Sequence, residues 1–584
     1  MTKLEQHQVP DTLILEERAE AALNALIGVA DEDYEYIPFF NGNFKAKPAY
    51  MTHGNWDFGS SHGRLIDAII LARAMTGSDY GTDVEQHYRR NLLSFFRPDG
   101  LNYRRNTFTD DIITEHMAEF KESASMIDQR SVLLGLTTWY IATGDERAKQ
   151  AADKLCAALK RIARKERDSW YYPASEWTEK GWPSFDAVHT RLAPDPAAMW
   201  GRQIGPLYRY YQITGSKDAY ELAENFAANI IHRSGVFNAD GSFNGALGYR
   251  NGHFHTRMGT LASLANFGYH TRDASILAFV KKCYDWALTQ CTAFGWTPGD
   301  MHDQRFEHET CTLVDAIHTG IILAQSGYPE YWGCVERFLR NHLTESQLME
   351  IDWIEELDHK QLDIPKHRTY YKVAQRLRGA FSGYAAPNDF VYDGEWGRGH
   401  IMDVQTCCLG AGTRGLYVAW SSIVTEDAGR IRINLLLNHT SRWLTLKSYM
   451  PHEGRIELEV KQDLPELLIR IPEWVPFGAV RVSVEKNGET VTTTGRQLPW
   501  VKKVFMKLGA AAQGAKITIT FPLHERKTVE VASGLEYEVK WRGDDVIHID
   551  PPGTYYPLYT NRRIQTPAEL KEKTLICDHG PSYI

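Results

Sequence analysis

Apolar residues recur at i, i+3, i+4 and i+7 in five stretches, and each stretch runs into a small turn. They are RLIDAIILARAMTGSD (64–79), SVLLGLTTWYIATGDE (131–146), IGPLYRYYQITGSK (204–217), MGTLASLANFGYHTRD (258–273) and LVDAIHTGIILAQSGYPE (313–330). That period predicts amphipathic helices, and a closing Thr-Gly, Ser-Gly or close relative predicts where each stops. The stops at Gly77, Gly144, Gly215, near Arg272, and at Gly327 lie about 55–71 residues apart, room for two helices and their connections. A sixth stretch, RGLYVAWSSIVTED (414–427), ends the series. Six helical hairpins in tandem predict an (α/α)6 toroid, one ring of helices inside another, with a less regular helical array as the alternative.

From about Gly429 the period changes to two, in RIRINLLL, WLTLKSY, RIELEVKQ, ELLIRIPEW, AVRVSVEKNGETV and KITITFPL. Alternation between turn signals predicts antiparallel strands, here a β-sandwich. The chain therefore reads as mainly α with a C-terminal all-β domain: residues 1–428 form a catalytic (α/α)6 barrel, and 429–584 a β-sandwich with a tail. The tail after about 551 (PPGTYYPLYTNRR) has little pattern and is expected to wrap back on the body.

Composition narrows the function. A length of 584 residues exceeds the ~250–300 that one core serves, in keeping with two domains. No apolar run long enough for a membrane span occurs, and the first residues lack a secretory apolar segment, so a cytoplasmic protein without a membrane partner is expected. A net charge of −9 and a pI near 6.2 provide no basic stripe for nucleic acid. Eight cysteines are too few for a disulfide framework in so long a chain. The excess lies in aromatic residues, 16 Trp and 29 Tyr, whose flat faces suit both a core and the C–H faces of sugars. A homodimer through a sandwich face is a further expectation.

In such a toroid the ends of the inner helices surround a funnel, and two polar clusters open inner-type helices. FEHETCTLVDAIH (306–318) carries Glu309 and Cys311; MDVQTCCLGAG (402–412) carries the adjacent Cys407 and Cys408. Adjacent cysteines rarely bond to each other without strain, so a shared third partner is the first alternative. The fifth and sixth hairpins are neighbours in a closed ring, which brings three thiolates and a carboxylate together as a tetrahedral Zn2+ site. The bland reading is four buried small side chains, as expected of Cys156, Cys283, Cys291, Cys334 and Cys577.

The order HETCTLVDAIH, YWGCVERFLRNHL, QTCC and then LLIRIPEW resembles glycoside hydrolase family 127, the β-L-arabinofuranosidase family, over nearly the whole chain. The resemblance implies zinc bound by Glu309, Cys311, Cys407 and Cys408, with Cys407 also the nucleophile of a retaining hydrolysis through a thioglycosyl intermediate. It implies a small carbohydrate substrate such as a terminal β-L-arabinofuranoside, and it places His253, in NGHFHTRMG (251–259), in the sugar pocket beside His255. Two departures mark a divergent branch. TCCLGAGTRGLYVAW lacks the family's proline-containing continuation, and the family's acid/base glutamate has no counterpart at its spacing in CTAFGWTPGDMHDQRFEHETC (291–311).

For that acid/base the loop offers Asp300, after the rigid Trp296–Gly299 turn, and Glu307, with Glu395 more remote; Asp303 and His308 are expected to be solvated. HGNWDFGSSHGR (53–64) supplies Trp56 and Asp57 as sugar-gripping groups, beside His53, His62 and Arg64. WGRGH (396–400) places Trp396 and His400 next to the double cysteine in sequence. DSWYYPASEWTEKGW (168–182) is either a stacking wall or a packed lid. The competing functions are another (α/α)6 carbohydrate enzyme, namely a lyase, an unsaturated-uronide hydrolase or an epimerase, and a non-catalytic carbohydrate-binding protein with structural zinc.

Overall fold

The computed structural model describes residues 5–577 apart from 55, 106–120, 168, 185–192, 248–251, 300, 302–307, 363–364, 366, 393–402, 487–488, 533, 561 and 567. Helices dominate up to residue 420. In chain order they are α1 (Leu15–Gly28), α2 (Gly59–Thr76), α3 (Thr82–Ser94), α4 (Met126–Thr143), α5 (Glu146–Ile162), the short α6 (Pro196–Met199) and α7 (Ile204–Thr214). They continue as α8 (Lys217–His232), α9 (Phe254–Thr271), α10 (Ala274–Leu288), α11 (Thr310–Gln325), α12 (Tyr331–Phe338), the short α13 (Val373–Leu377) and α14 (Thr406–Trp420).

Six of them pack in a cycle: α2 on α4, α4 on α7, α7 on α9, α9 on α11, α11 on α14, and α14 back on α2. Each also rests on a helix outside the cycle, in the same order α3, α5, α8, α10, α12 and α1, with α1 packed on α2 as well. Burial follows from this arrangement. α2 is buried on nearly every face, polar His62, Arg64 and Asp67 included, whereas α5 buries one stripe running from Ala148 to Ile162. The glycine stops take the left-handed conformation that ends a helix: Gly77, Gly144 and Gly215 have φ of 68°, 67° and 74°.

The sixth pair is completed from the N-terminus. α1 packs on both α2 and α14, so a helix outside the repeated phrase closes the outer layer. α2 and α4 approach at backbone distance: a Cβ on Gly135 would meet the Gly63 carbonyl and stand 2.8 Å from its Cα.

Beyond α14 the chain is strand-rich. One sheet has five strands, with 430–433 parallel to 464–470; a second has six, built around 444–448, 455–460 and 516–520; a third, of three strands, spans 525–550. The change of period marks the turn of a hairpin and not the start of the sheets. Val424–Asp427 already pairs antiparallel with Arg430–Ile433, and Ala428 and Gly429 both have positive φ (51° and 78°), as a tight hairpin requires. The tail does wrap back: Glu572–Cys577 pairs with Glu5–Pro10, and the amides of 554–556 donate to the Asp389 carboxylate. The first strand thus joins the C-terminal end of the chain.

The junction between helices and sheets is ionic and buried. Glu336 of α12 accepts from Arg340 (2.7 Å) and from the Leu436 amide (3.0 Å), and it pairs with Arg470 of the five-stranded sheet. No described helix is long and apolar enough to cross a membrane.

Gly135→Ala is expected to destabilise the fold by about 1–3 kcal/mol, because the clash is with backbone and not with a mobile side chain. Chemical denaturation measures this, and an unchanged midpoint would contradict the close α2–α4 packing.

Candidate active site and metal centre

Two short ladders position the two clusters. His308–Glu309, leading into α11, pairs with Tyr384–Ala385; Val404–Gln405, leading into α14, pairs with Asn41–Gly42. Residues 382–385 form a strap across both. Ser382 bridges to Val404, the Gly383 amide donates to Asp403 O (2.8 Å), and the Thr310 hydroxyl donates to Ser382 O (2.7 Å). Glu309 is the residue before α11, Cys311 lies in its first turn, and Cys407 and Cys408 lie in the first turn of α14.

The four donors meet. One carboxylate oxygen of Glu309 and the sulfurs of Cys311, Cys407 and Cys408 all lie within 4.8 Å of one another. Cys311 Sγ is 3.6 Å from Cys408 Sγ, and Cys407 Sγ is 3.9 Å from Cys408 Sγ. A tetrahedral ion with metal–sulfur bonds of about 2.3 Å has sulfur–sulfur edges of about 3.8 Å. The residues therefore fit a zinc ion in both chemistry and spacing. The other cysteines lie elsewhere: Cys156 and Cys283 are buried, whereas Cys291 and Cys334 are only half-buried.

Two histidines grip Glu309 from the pocket side, His253 Nε2 on Oε2 (2.6 Å) and His255 Nδ1 on Oε1 (2.8 Å). Arg202 Nη2 lies 2.8 Å from His255 Nε2. The same Nε2 also faces Asp315 Oδ2 (3.3 Å), so His255 links Glu309 to both Arg202 and Asp315. Burial works to raise the Glu309 pKa, but His255 and His253 outweigh it and hold the carboxyl well below its usual range.

Among the thiols, contacts from Cys311 and Cys408, with Arg64 as the nearby cation, hold Cys407 well below the usual thiol range against burial, whereas burial pushes Cys311 up to about 12. Arg64 Nη1 reaches Cys311 Sγ (3.6 Å) and the Cys407 carbonyl (3.3 Å). Of the three, Cys407 also lines a cavity of about 100 Å3.

That cavity is lined by Trp56, His253, His255, Glu309, Tyr384, Gln405 and Cys407, and by one carboxyl that the sequence reading missed, Asp195. Asp195 precedes α6; its Oδ1 accepts from the Ala198 amide (3.2 Å), while Oδ2 is buried without a hydrogen bond, 3.7 Å from Arg257 Nη1. Burial raises its pKa. Its one sequence signal is the Asp-Pro pair that begins a helix, which any capping aspartate shares. Trp56 has Arg104 stacked over its ring, 4.8 Å from the centroid.

Other expected residues lie elsewhere. Asp57 is fully buried and absent from the cavity lining; it holds His53 Nδ1 (2.8 Å) and the Gly54 amide (2.9 Å). Burial opposes a charge on His53, but Asp57 and Asp31 together raise its pKa to about 9. His62 is buried with its Nδ1 on the carbonyls of Asp57 and Phe58.

His308 is also fully buried and not solvated: neighbours on a strand point to opposite faces, so Glu309 facing the cavity sends His308 into the core, where Thr297 N donates to its Nδ1 (3.1 Å). Burial lowers its pKa to about 3. The rings of 168–182 form a packed layer, with Tyr172 buried and Trp182 set edge-on to Trp177 (5.0 Å), and none lines the cavity. Asp300, Asp303, Glu307, Glu395, Trp396 and His400 lie outside the described residues.

Solved structures share this architecture. A glycoside hydrolase family 127 β-L-arabinofuranosidase from Geobacillus stearothermophilus superimposes over 92% of this chain and 80% of its own, with a TM-score of 0.55 at 14% identity. The chain has the fold of that enzyme. A second family 127 β-arabinofuranosidase matches over 91% of this chain and 78% of its own (TM-score 0.56, 15% identity), and a protein described as a glycoside hydrolase over 93% and 83% (0.55, 13%). No family model matches the chain, and no curated protein matches it either. At such identities the likeness is one of fold, and the chemistry rests on the residues described above.

If the cluster holds a metal, elemental analysis after dialysis is expected to find about one ion per chain in the wild type and well below one in Cys311→Ser and in Cys408→Ser, with a lower melting temperature in both. Unchanged metal content in both would mean that these sulfurs do not hold it.

Proposed function

We propose that the protein is a zinc-dependent retaining glycoside hydrolase, an (α/α)6 barrel followed by a β-sandwich, that releases a terminal sugar such as β-L-arabinofuranose from small oligosaccharides or glycosides. The observation that carries this reading is the position of Cys407, at once one of four converging metal donors, three of them sulfurs, and part of the lining of a cavity. A cavity of about 100 Å3 is of the size of one sugar ring. The fold shared with family 127 β-arabinofuranosidases supports the sugar class.

Glu309, Cys311, Cys407 and Cys408 hold the ion, and His253 and His255 orient Glu309. When bound, the metal supplies one thing: it keeps its sulfur ligands deprotonated at neutral pH. The Cys407 thiolate then attacks the anomeric carbon; a carbon–sulfur bond forms as the glycosidic carbon–oxygen bond breaks, and a carboxylic acid gives its proton to the departing oxygen. In the second half the resulting carboxylate takes a proton from water, water oxygen bonds the anomeric carbon, and the thiolate leaves. Two inversions retain configuration.

Asp195 joins Asp300 and Glu307 as the groups proposed for the proton. A buried carboxyl whose burial raises its pKa against the nearby Arg257, with one oxygen free of hydrogen bonds, suits an acid that must be protonated before the bond breaks. Trp56 offers its ring face to the sugar.

On an aryl glycoside panel, Cys407→Ser is expected to lose about 10⁴-fold or more in kcat while keeping the fold. Asp195→Asn is expected to lose about 10²–10⁴-fold on alkyl glycosides, whose leaving groups need the proton, and far less on 4-nitrophenyl glycosides, with azide restoring turnover of the latter. Full activity of Cys407→Ser sinks the thioglycosyl route. Uniform, small losses in Asp195→Asn assign the proton to Asp300 or Glu307.

A further inference from the structure

Behind the sugar cavity lies a second and larger one, about 220 Å3, lined by all six helices of the cycle. The two share Arg64, Arg202 and His255, so one wall separates them. At its far end the lining includes Ile213, which is 47% exposed, so the cavity opens to solvent opposite the sugar pocket.

Its charge is unbalanced. Arg64, Arg130, Arg202, Arg209 and Arg414 line it, against the carboxylates of Asp67 and Asp315. Arg414 is neutralised by Asp67 (2.8 Å), and Arg64 is spent on the Cys311 sulfur. Arg202 gives one nitrogen to His255, but its Nε is buried without a hydrogen bond at 3% residue exposure. Among the described residues Arg130 forms no ion pair, and its Nε likewise has no partner. Burial and the neighbouring Arg202 and Arg64 disfavour its charge.

Position makes the imbalance worse. Arg64 and Arg130 sit in the first two turns of α2 and α4, and Arg202 sits two residues ahead of α7. Helix N-termini carry partial positive charge, so cations there are disfavoured and anions favoured. The cluster of Glu309 and thiolates answers part of this field from the other side of the wall; Arg130 and Arg202, facing the larger cavity, have one carboxylate near both of them, Asp315, which His255 also contacts (3.3 Å).

We propose that this lumen binds a small oxyanion, as a free ion or as the phosphate group of a small metabolite, held by Arg130 and Arg202. Planar guanidinium forks match the oxygens of such an ion, and the cavity has room for the ion with its remaining water.

Calorimetric titration of the intact, metal-loaded protein tests this with sodium sulfate, inorganic phosphate and ribose 5-phosphate, each against sodium chloride at equal ionic strength. The expected result is one saturable site with Kd of about 1 mM or tighter, weakened at least tenfold in Arg130→Gln with metal content unchanged. Ribose 5-phosphate binding more tightly than phosphate marks a metabolite as the ligand, and the reverse marks the free ion; either supports the site. No saturable heat beyond chloride, or equal affinity in Arg130→Gln, overturns it. Should that variant not fold, wild-type crystals soaked in selenate decide: anomalous density within hydrogen-bond reach of Arg130 is expected, and selenate found only elsewhere overturns the proposal.

Discussion

The candidate site depends on a few backbone hydrogen bonds between short extended segments. Residues 382–385 pair with the lead-in to α11 on one side and touch the lead-in to α14 on the other. Without that strap, Glu309 and Cys311 would be tied to Cys407 and Cys408 only by helix packing, which tolerates shifts that a metal site does not. Ladder register fixes which residues face the cavity, because a slip of one residue would put His308 where Glu309 stands. The sulfur–sulfur distances of 3.6 and 3.9 Å are the outcome.

Electrostatics bears on what those donors can do. Cationic side chains and helix N-termini gather at one end of the cycle, a setting that stabilises thiolate over thiol. Arg64 serves the sulfurs directly, and Arg202 acts through His255 on Glu309. One polarity therefore accounts for the anionic donor set on the near side of the wall and for the excess of guanidinium groups over carboxylates on the far side.

Much of this was legible in the sequence, for physical reasons. Gly77, Gly144 and Gly215 are readable because a left-handed helix stop tolerates few other residues. The meeting of Glu-x-Cys with Cys-Cys is readable because the order of the hairpins makes the two clusters neighbours, whereas buried cysteines alone do not announce a metal. α1 was missed as the closing helix because it lies outside the repeated phrase, and the pairing of Glu5–Pro10 with Glu572–Cys577 is a contact across the whole chain that no local pattern encodes. Asp57, expected at the sugar, is absent from the cavity lining, and Asp195, which the sequence reading did not single out, is part of it. Both are aspartates near the start of a helix, and only the fold shows that one turns to His53 and the other to the cavity.

The central claim is that one carboxylate and three sulfurs, Cys407 among them, hold a single zinc ion. X-ray absorption at the zinc edge on the purified protein tests it most directly. The account predicts three sulfur scatterers at about 2.3 Å and one oxygen at about 2.0–2.2 Å. A shell made only of nitrogen and oxygen would contradict it.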